Sequence, residues 1–212
     1  VAVSFDLFGT LVSPEPPADP ASAVAAELAA RGVSVPDDWE ASYARPHLDV
    51  ADGRELALTD HVAAALSSAG GPVEHSAIQA AVFAAFDRPV EVRPGALEAV
   101  DAARAAGPVA ICSNCSVPGL VEHGLERADI GTERFDAVIS SVDCGWRKPA
   151  PEIFLETASA LEVEPAALLH VGDDPQADGG VERVGGTALS VTETPLSALG
   201  AVLETSCAGD EP

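Results

Sequence analysis

The chain has 212 residues, enough for one large domain or for a core of about 100–150 residues carrying a smaller insertion. Its hydrophobic fraction of 47% supplies a packed core, while 34 acidic against 11 basic residues give a formal charge of −23. A field of that sign repels nucleic acid and anionic lipid, which excludes both as partners and leaves a small-molecule substrate as the expectation.

In chain order, the apolar run Val1 to Phe5 reads as a buried strand that ends at Asp6, with Gly9-Thr10 turning the chain. The proline-rich stretch Ser13 to Pro20 reads as a semi-rigid linker. Helical patterns follow over Ala21 to Ala30, Asp37 to Ala44, Glu55 to Ser68 (closed by Gly70-Gly71) and Ser76 to Phe86. After Arg93-Pro94-Gly95 the pattern alternates. It predicts helix Ala96 to Ala106, strand Val109 to Ser113, helix Val117 to Arg127, strand Ala137 to Ser141 and helix Glu152 to Leu161. Strand Leu168 to Val171, a helix near Ala177 to Val184 and strand Thr187 to Val191 complete it. Such alternation with short links predicts an α/β fold, a doubly wound parallel sheet covered on both faces. Beyond Pro195 we expect a last helix and an acidic tail, Cys207 to Pro212. No apolar run approaches the roughly 18 residues of a membrane span, and the chain opens on a strand instead of a signal peptide, so a soluble, cytoplasmic protein is expected. Cys112 and Cys115 form a C-x-x-C at a strand end, but Cys144 and Cys207 offer no second pair at zinc spacing.

Four segments concentrate residues able to do chemistry. Asp6 ends the first strand in Ser4-Phe5-Asp6-Leu7-Phe8-Gly9-Thr10-Leu11-Val12. Ser113 and Asn114 end the strand Val109 to Ser113. Lys148 lies in Gly145-Trp146-Arg147-Lys148-Pro149-Ala150-Pro151, ahead of a helix, and is the only lysine among 11 basic residues. A chain that builds its surface without lysine has kept one where a compact ammonium can face both a carboxylate and an incoming anion. Asp173, Asp174 and Asp178 follow the strand in His170-Val171-Gly172-Asp173-Asp174-Pro175-Gln176-Ala177-Asp178. In open parallel sheets, ligands bind outside the carboxyl ends of strands, where Asp6, Ser113 and Asp173 all fall. Acids at a helix start also serve as caps, the plainer reading for Asp178.

These segments, in this order, resemble the four motifs of the haloacid dehalogenase (HAD) superfamily, over about residues 1 to 191. The resemblance implies a Rossmann-like core over 1–13 and 91–205, a small helical cap over 14–90 and a tail over 206–212. It implies Asp6 as nucleophile, with Ser113 and Lys148 stabilising negative charge on the transferred group. It implies Mg²⁺ held by Asp6, the backbone carbonyl of Phe8 and Asp173, with Asp174, Asp178 and Asn114 as secondary candidates. Gly9 and Thr10, in the same loop, are candidates for substrate binding. Arg45, His47 and Arg54 are cap cations placed to meet an anionic substrate, and a solvated loop explains them equally well. His61, His75, His123 and His170 lack metal-ligand spacing and read as surface or core residues.

Phe8 departs from the pattern, since family phosphatases carry there an aspartate that protonates the leaving oxygen. Dehalogenases of the superfamily typically have an aromatic residue at this place and need no metal, yet Gly172-Asp173-Asp174 is the phosphatase arrangement. Carboxylates beside a nucleophilic carboxylate are costly without a cation. The balance favours a Mg²⁺-dependent phosphatase of a small phosphorylated metabolite acting through an aspartyl-phosphate. The alternatives are a 2-haloacid dehalogenase-like hydrolase and an impaired member that binds a phosphorylated ligand or a protein.

The acidic, lysine-poor composition also reads as adapted to a salt-rich, halophilic cytoplasm, against an ordinary acidic protein. At about 1 M salt the Debye length falls to about 3 Å and self-repulsion is screened. The thermal midpoint is therefore expected to rise substantially from dilute buffer to molar KCl in a melting series. A flat midpoint would favour the ordinary acidic protein.

Overall fold

The computed structural model describes residues 1–68 and 74–208, and of 206–208 the backbone only. The Gly70-Gly71 helix stop and most of the acidic tail lie outside the described residues. Five parallel strands form the main sheet in the order β5-β4-β1-β6-β7. They are β1 (Ala2–Phe5), β4 (Val109–Ser113), β5 (Ala137–Ser140), β6 (Leu168–Gly172) and β7 (Thr187–Ser190). β1 is central, and its Phe5 is level with Ile111 of β4 on one side and Val171 of β6 on the other. β1, β4 and β6 are buried along their whole lengths, as a parallel sheet covered on both faces requires.

Alternate side chains of these strands enter two different cores. Val3, Phe5, Val109, Ile111, Leu169 and Val171 join one cluster with α5 (Ala96–Ala106) and α10 (Leu199–Ala208). Ala2, Ala110, Cys112 and Leu168 join the other, beneath Ile153 and Phe154 of α8 (Pro151–Ala160). Each large side chain so buried contributes about 1.5–3 kcal/mol. Two polar residues interrupt the second face: Ser4 of β1 and His170 of β6, which are register partners and fully buried.

Between β1 and β4 lies a four-helix insertion: α1 (Pro20–Ala30), α2 (Trp39–Ala44), α3 (Leu58–Ser68) and α4 (His75–Phe86). Asp19 caps α1 by accepting from the Ser22 amide, and Pro20 occupies the first turn. The insertion enters and leaves through an antiparallel ribbon absent from the sequence expectation. Val12–Pro14 (β2) pairs with Val90–Val92 (β3), so the expected linker begins as a strand. Pro14 is tolerated because it ends an edge strand. Residues 55–57, expected to be helical, lie outside the helix, with the Glu55 amide bonded to the Gly145 carbonyl.

Other elements differ from expectation for local reasons. α6 (Leu120–Arg127) starts three residues late, behind Gly119 in the left-handed region. A short α7 (Ser141–Cys144) follows β5 directly, capped by Ser140. α9 (Pro175–Asp178) passes at Gly179-Gly180 into a 3₁₀ stretch, so the single expected helix is split. No helix among the described residues is long and apolar enough to cross a membrane.

The turn after β1 depends on Gly9, whose φ is +94° and whose added Cβ would sit 2.5 Å from the Asp173 carboxylate. Gly9→Ala is therefore expected to destabilise the fold by about 1–3 kcal/mol in denaturant titration and to displace Asp173. Unchanged stability would show that this turn relaxes without strain.

Candidate active site

Three strand ends converge on Asp6. The Asp6 amide donates to the Val171 carbonyl at 2.9 Å, which continues the β1–β6 ladder by one residue and fixes where its side chain emerges. The Ser113 hydroxyl, at the end of β4, donates to Asp6 Oδ1 at 2.7 Å. Lys148 Nζ approaches the same oxygen at 3.1 Å.

Lys148 reaches Asp6 from beneath the sheet end. Its backbone is held by Asn114, whose side-chain amide donates to the Lys148 carbonyl at 3.0 Å and accepts from the Lys148 amide at 2.7 Å. The ammonium then lies 2.6 Å from Asp178 Oδ1. Burial opposes its charge, but Asp6, the Cys112 thiol and Asp178 outweigh that and hold the Lys148 pKa above its usual range. Asp178 responds in the opposite sense: burial pushes it up, but the His170 hydrogen bond and Lys148 hold it well below the usual carboxylate range.

His170 is the site residue that sequence reasoning placed elsewhere. Its Nδ1 is 2.8 Å from the Ser4 hydroxyl and its Nε2 is 3.0 Å from Asp178 Oδ1 and 3.4 Å from Lys148 Nζ. Burial, then Lys148, holds its pKa below the usual histidine range, so the imidazole is neutral. A neutral ring donating from Nε2 to Asp178 and accepting at Nδ1 from Ser4 satisfies both of those partners, and Lys148 Nζ is then a neighbour of Nε2 and not its hydrogen-bond partner. Phe154 packs edge-on against it, with centroids 5.2 Å apart. The available signal was a histidine in the middle of an otherwise apolar buried strand, not a ligand spacing.

The three acids of the last segment have separate fates. Asp173 accepts from the Thr10 hydroxyl at 3.0 Å and is half-buried. Burial raises its pKa first, and Asp6 and Asp178 add to that against the Thr10 bond. Asp174 is exposed and caps α9, accepting from the Gln176 amide at 2.9 Å. Asp178 turns back under β6, and its Oδ2 accepts from the Asp174 amide at 2.8 Å. This return is possible because Gly172 has no side chain: a Cβ there would overlap the Asp178 carboxylate. The helix-decoration reading thus describes Asp174 and not Asp178.

Among the described residues no group of three His, Cys, Asp or Glu side chains is arranged to hold a metal. Asp178 has both oxygens engaged. Asp6, Asp173 and the Phe8 carbonyl, which accepts no hydrogen bond among the described residues, remain as oxygen donors. Two carboxylates and a carbonyl, completed by water, suit a small hard cation such as Mg²⁺. Gly9 contributes its carbonyl to the Arg93 guanidinium, a brace on the turn after β1 that sequence reasoning did not assign.

The remaining candidates lie apart from this network. Arg45, His47 and Arg54 border one open cleft of about 660 Å³ with Arg147. Each is engaged: Arg45 with Asp38 at 3.2 Å, His47 with the Ser42 carbonyl at 2.7 Å, and Arg54 over the Trp146 ring at 4.5 Å. No contact joins them to Asp6, Ser113 or Lys148 among the described residues. The Phe8 ring lies against Gly124 of α6 and lines a cleft of about 240 Å³. Cys112, Cys115 and Cys144 are free thiols; burial pushes Cys112 and Cys115 up to about 11, which leaves them unreactive at neutral pH.

Comparison with known proteins agrees with this geometry. A 46-residue stretch is 48% identical to haloacid dehalogenase-like hydrolase domain-containing protein 3 of Bos taurus, covering 22% of this chain and 18% of that protein's length. The structure of a 2-haloacid dehalogenase from Pseudomonas syringae pv. Tomato DC3000 superposes with a TM-score of 0.64 at 22% identity, covering 97% of this chain and 98% of that one. That of a HAD phosphatase from Thermococcus onnurineus superposes with a TM-score of 0.60, also at 22% identity, covering 95% and 97%. Such identities speak for the fold, and the fold is common to dehalogenases and phosphatases. The model of the haloacid dehalogenase-like hydrolase family matches residues 1–179, and with the strand-end aspartate, serine and lysine brought together as described, the chain belongs to that family of hydrolases.

Proposed function

We propose that the protein is a Mg²⁺-dependent phosphatase of small phosphate esters that uses Asp6 as nucleophile. The observation that carries this reading is Asp173. A half-buried carboxylate, already raised in pKa by burial and by Asp6, faces the nucleophile loop through Thr10. A dication relieves that arrangement, whereas a metal-free dehalogenase gains nothing from it. Asp6, Asp173 and the Phe8 carbonyl would hold the cation, which when bound neutralises charge between the carboxylates and the phosphoryl oxygens.

The chain's own residues do the rest. Ser113 and Lys148 both contact Asp6 Oδ1, so Oδ2 is the oxygen left to attack phosphorus in line. The new Asp6–phosphorus bond forms as the bond to the leaving oxygen breaks, and that oxygen takes its proton from water. Ser113 and Lys148 then donate to the phosphoryl oxygens as charge builds on them. Water attacks the aspartyl-phosphate, releasing phosphate and restoring Asp6. Asp178 and His170 act one step back, holding the ammonium charged and aimed. The four-helix insertion of residues 14–90 serves as a cap that limits water at the site.

Phe8 favours a second reading, a 2-haloacid dehalogenase-like hydrolase whose halide leaves without a proton. The two readings separate in molar KCl with Mg²⁺ or EDTA, against a panel of phosphate esters and 2-haloacids. Asp6→Asn is expected to abolish turnover with the circular dichroism spectrum unchanged; turnover near the wild-type level would overturn the nucleophile assignment. Asp178→Asn leaves the buried ammonium short of a counter-charge and is expected to cost about 3–5 kcal/mol of stability together with most of kcat. Phe8→Asp is expected to raise turnover of alkyl phosphates, by up to about 10²–10⁴, far more than that of aryl phosphates. Loss of 2-haloacid turnover without gain on alkyl phosphates would promote the dehalogenase.

A further inference from the structure

The cleft that Phe8 lines is the feature of the molecule not used by the chemistry above. It lies among the hinge ribbon, the end of α4, the loop after β4 and α6. Its inner wall includes Phe8, two residues from Asp6, and Asn114, which is next to Ser113 and clamps the Lys148 backbone. The rest of its lining combines an apolar surface, with Phe86, Val90, Val117 and Leu120 prominent, with a few charged side chains. Two of its basic groups are already neutralised: His123 Nε2 and Arg127 Nη1, both on α6, contact Asp87 Oδ1 at 3.0 Å and 2.9 Å. Arg88 and Glu15 are exposed.

A substrate seated at Asp6 must send its leaving group somewhere, and Phe8 sets two conditions on it. The leaving group must depart without a proton from this position, since a phenyl ring donates none. It must also accept an apolar neighbour. An apolar cavity of about 150 Å³ is enough to hold benzene, and this cleft measures about 240 Å³. Sugars, polyols and nucleotides meet neither condition, because their alkoxides need protonation and their hydroxyls would be buried unpaired.

We infer that this cleft receives the leaving group of an aryl phosphate monoester, a body of one or two fused aromatic rings. The inference rests on the phosphatase reading of Asp6 and names the substrate class for that same site. Asp6 Oδ2 bonds to phosphorus, the phosphorus–aryl oxygen bond breaks, and the electron pair leaves on a phenolate. Charge is delocalised into the ring, and water protonates the phenolate after departure. Leu120, half-buried on α6, is a specificity residue for the ring.

The test compares 1-naphthyl phosphate, glycerol phosphate and acetyl phosphate, the last too small to reach the cleft, in Mg²⁺ and molar KCl. The kcat/KM for 1-naphthyl phosphate is expected to exceed that for glycerol phosphate by at least about 100-fold. Leu120→Arg is expected to lower the naphthyl-to-acetyl kcat/KM ratio at least tenfold; should it fail to fold by circular dichroism, Leu120→Gln replaces it. Binding of 2-naphthol, followed by its own fluorescence, should be measurable in the wild type and weakened at least tenfold in the variant. Acetyl phosphate turnover with no naphthyl preference, or a ratio unmoved by Leu120, overturns the cleft assignment alone. Failure on acetyl phosphate as well as the two esters overturns the phosphatase reading and the ester with it, and absent 2-naphthol binding then removes the ring site too.

Discussion

One buried ammonium organises this protein. Lys148 is enclosed among Asp6, Asp178 and His170, and each of those groups belongs to a different part of the chain: β1, the end of α9 and β6. Removing an ammonium from water costs several kcal/mol, recovered only when the counter-charges are close and their remaining lone pairs are satisfied. Asp178 meets both conditions, accepting from Lys148, His170 and the Asp174 amide, while Asp6 accepts from Ser113 and pairs with Lys148 through Oδ1 alone. The stability of the sheet end and the electrostatics of Asp6 are thus the same set of contacts. In a chain whose other ten Lys/Arg residues are all arginine, this lysine places one compact charge on a flexible stem within 3.1 Å of Asp6 Oδ1 and 2.6 Å of Asp178 Oδ1.

The parallel sheet delivers this arrangement without any long-range tuning of loops. Ladder pairing of β1 with β4 and β6 brings Asp6, Ser113 and Gly172 to one edge. Alternation along the strands then separates two functions of the same residues. Phe5 and Val171 anchor one face in apolar contact, while Ser4 and His170 form a buried polar ladder on the other, leading directly to Asp178. A polar pair inside a sheet is tolerated because it is completely bonded, and being so bonded it admits one arrangement of Asp178.

The sequence made the alternation of strands and helices legible, and with it the strand-end placement of Asp6, Ser113 and Asp173. Their local signals are strong: short, largely apolar runs that give way to polar residues at their carboxyl ends. What was illegible depended on contacts between segments far apart. The Val12–Pro14 ribbon is formed only by pairing with Val90–Val92, and proline-rich composition suggested a linker instead. Residues 55–57 stay out of the helix where the Glu55 amide bonds the Gly145 carbonyl, a contact that helical propensity cannot register. His170 was set aside since no second ligand lay at metal spacing, whereas its partners are Ser4 and Asp178, 166 and 8 residues away. Asp178 looked like helix decoration because the absent side chain at Gly172, which lets it fold back, has no signature of its own.

Phe8 then links the chemistry to the shape of the site. An aspartate at that position would add a further carboxylate to the segment that holds Asp6 and bonds Asp173 through Thr10, and each added negative charge would raise the pKa of the others. A phenyl ring removes that cost and also removes a proton donor. The same ring lies against Gly124 of α6 and so forms a wall of the cleft. Loss of the donor and gain of the cleft are consequences of one substitution, and they select in the same direction. A leaving group stable as an anion has no need of the donor, and an aromatic ring has a use for the wall.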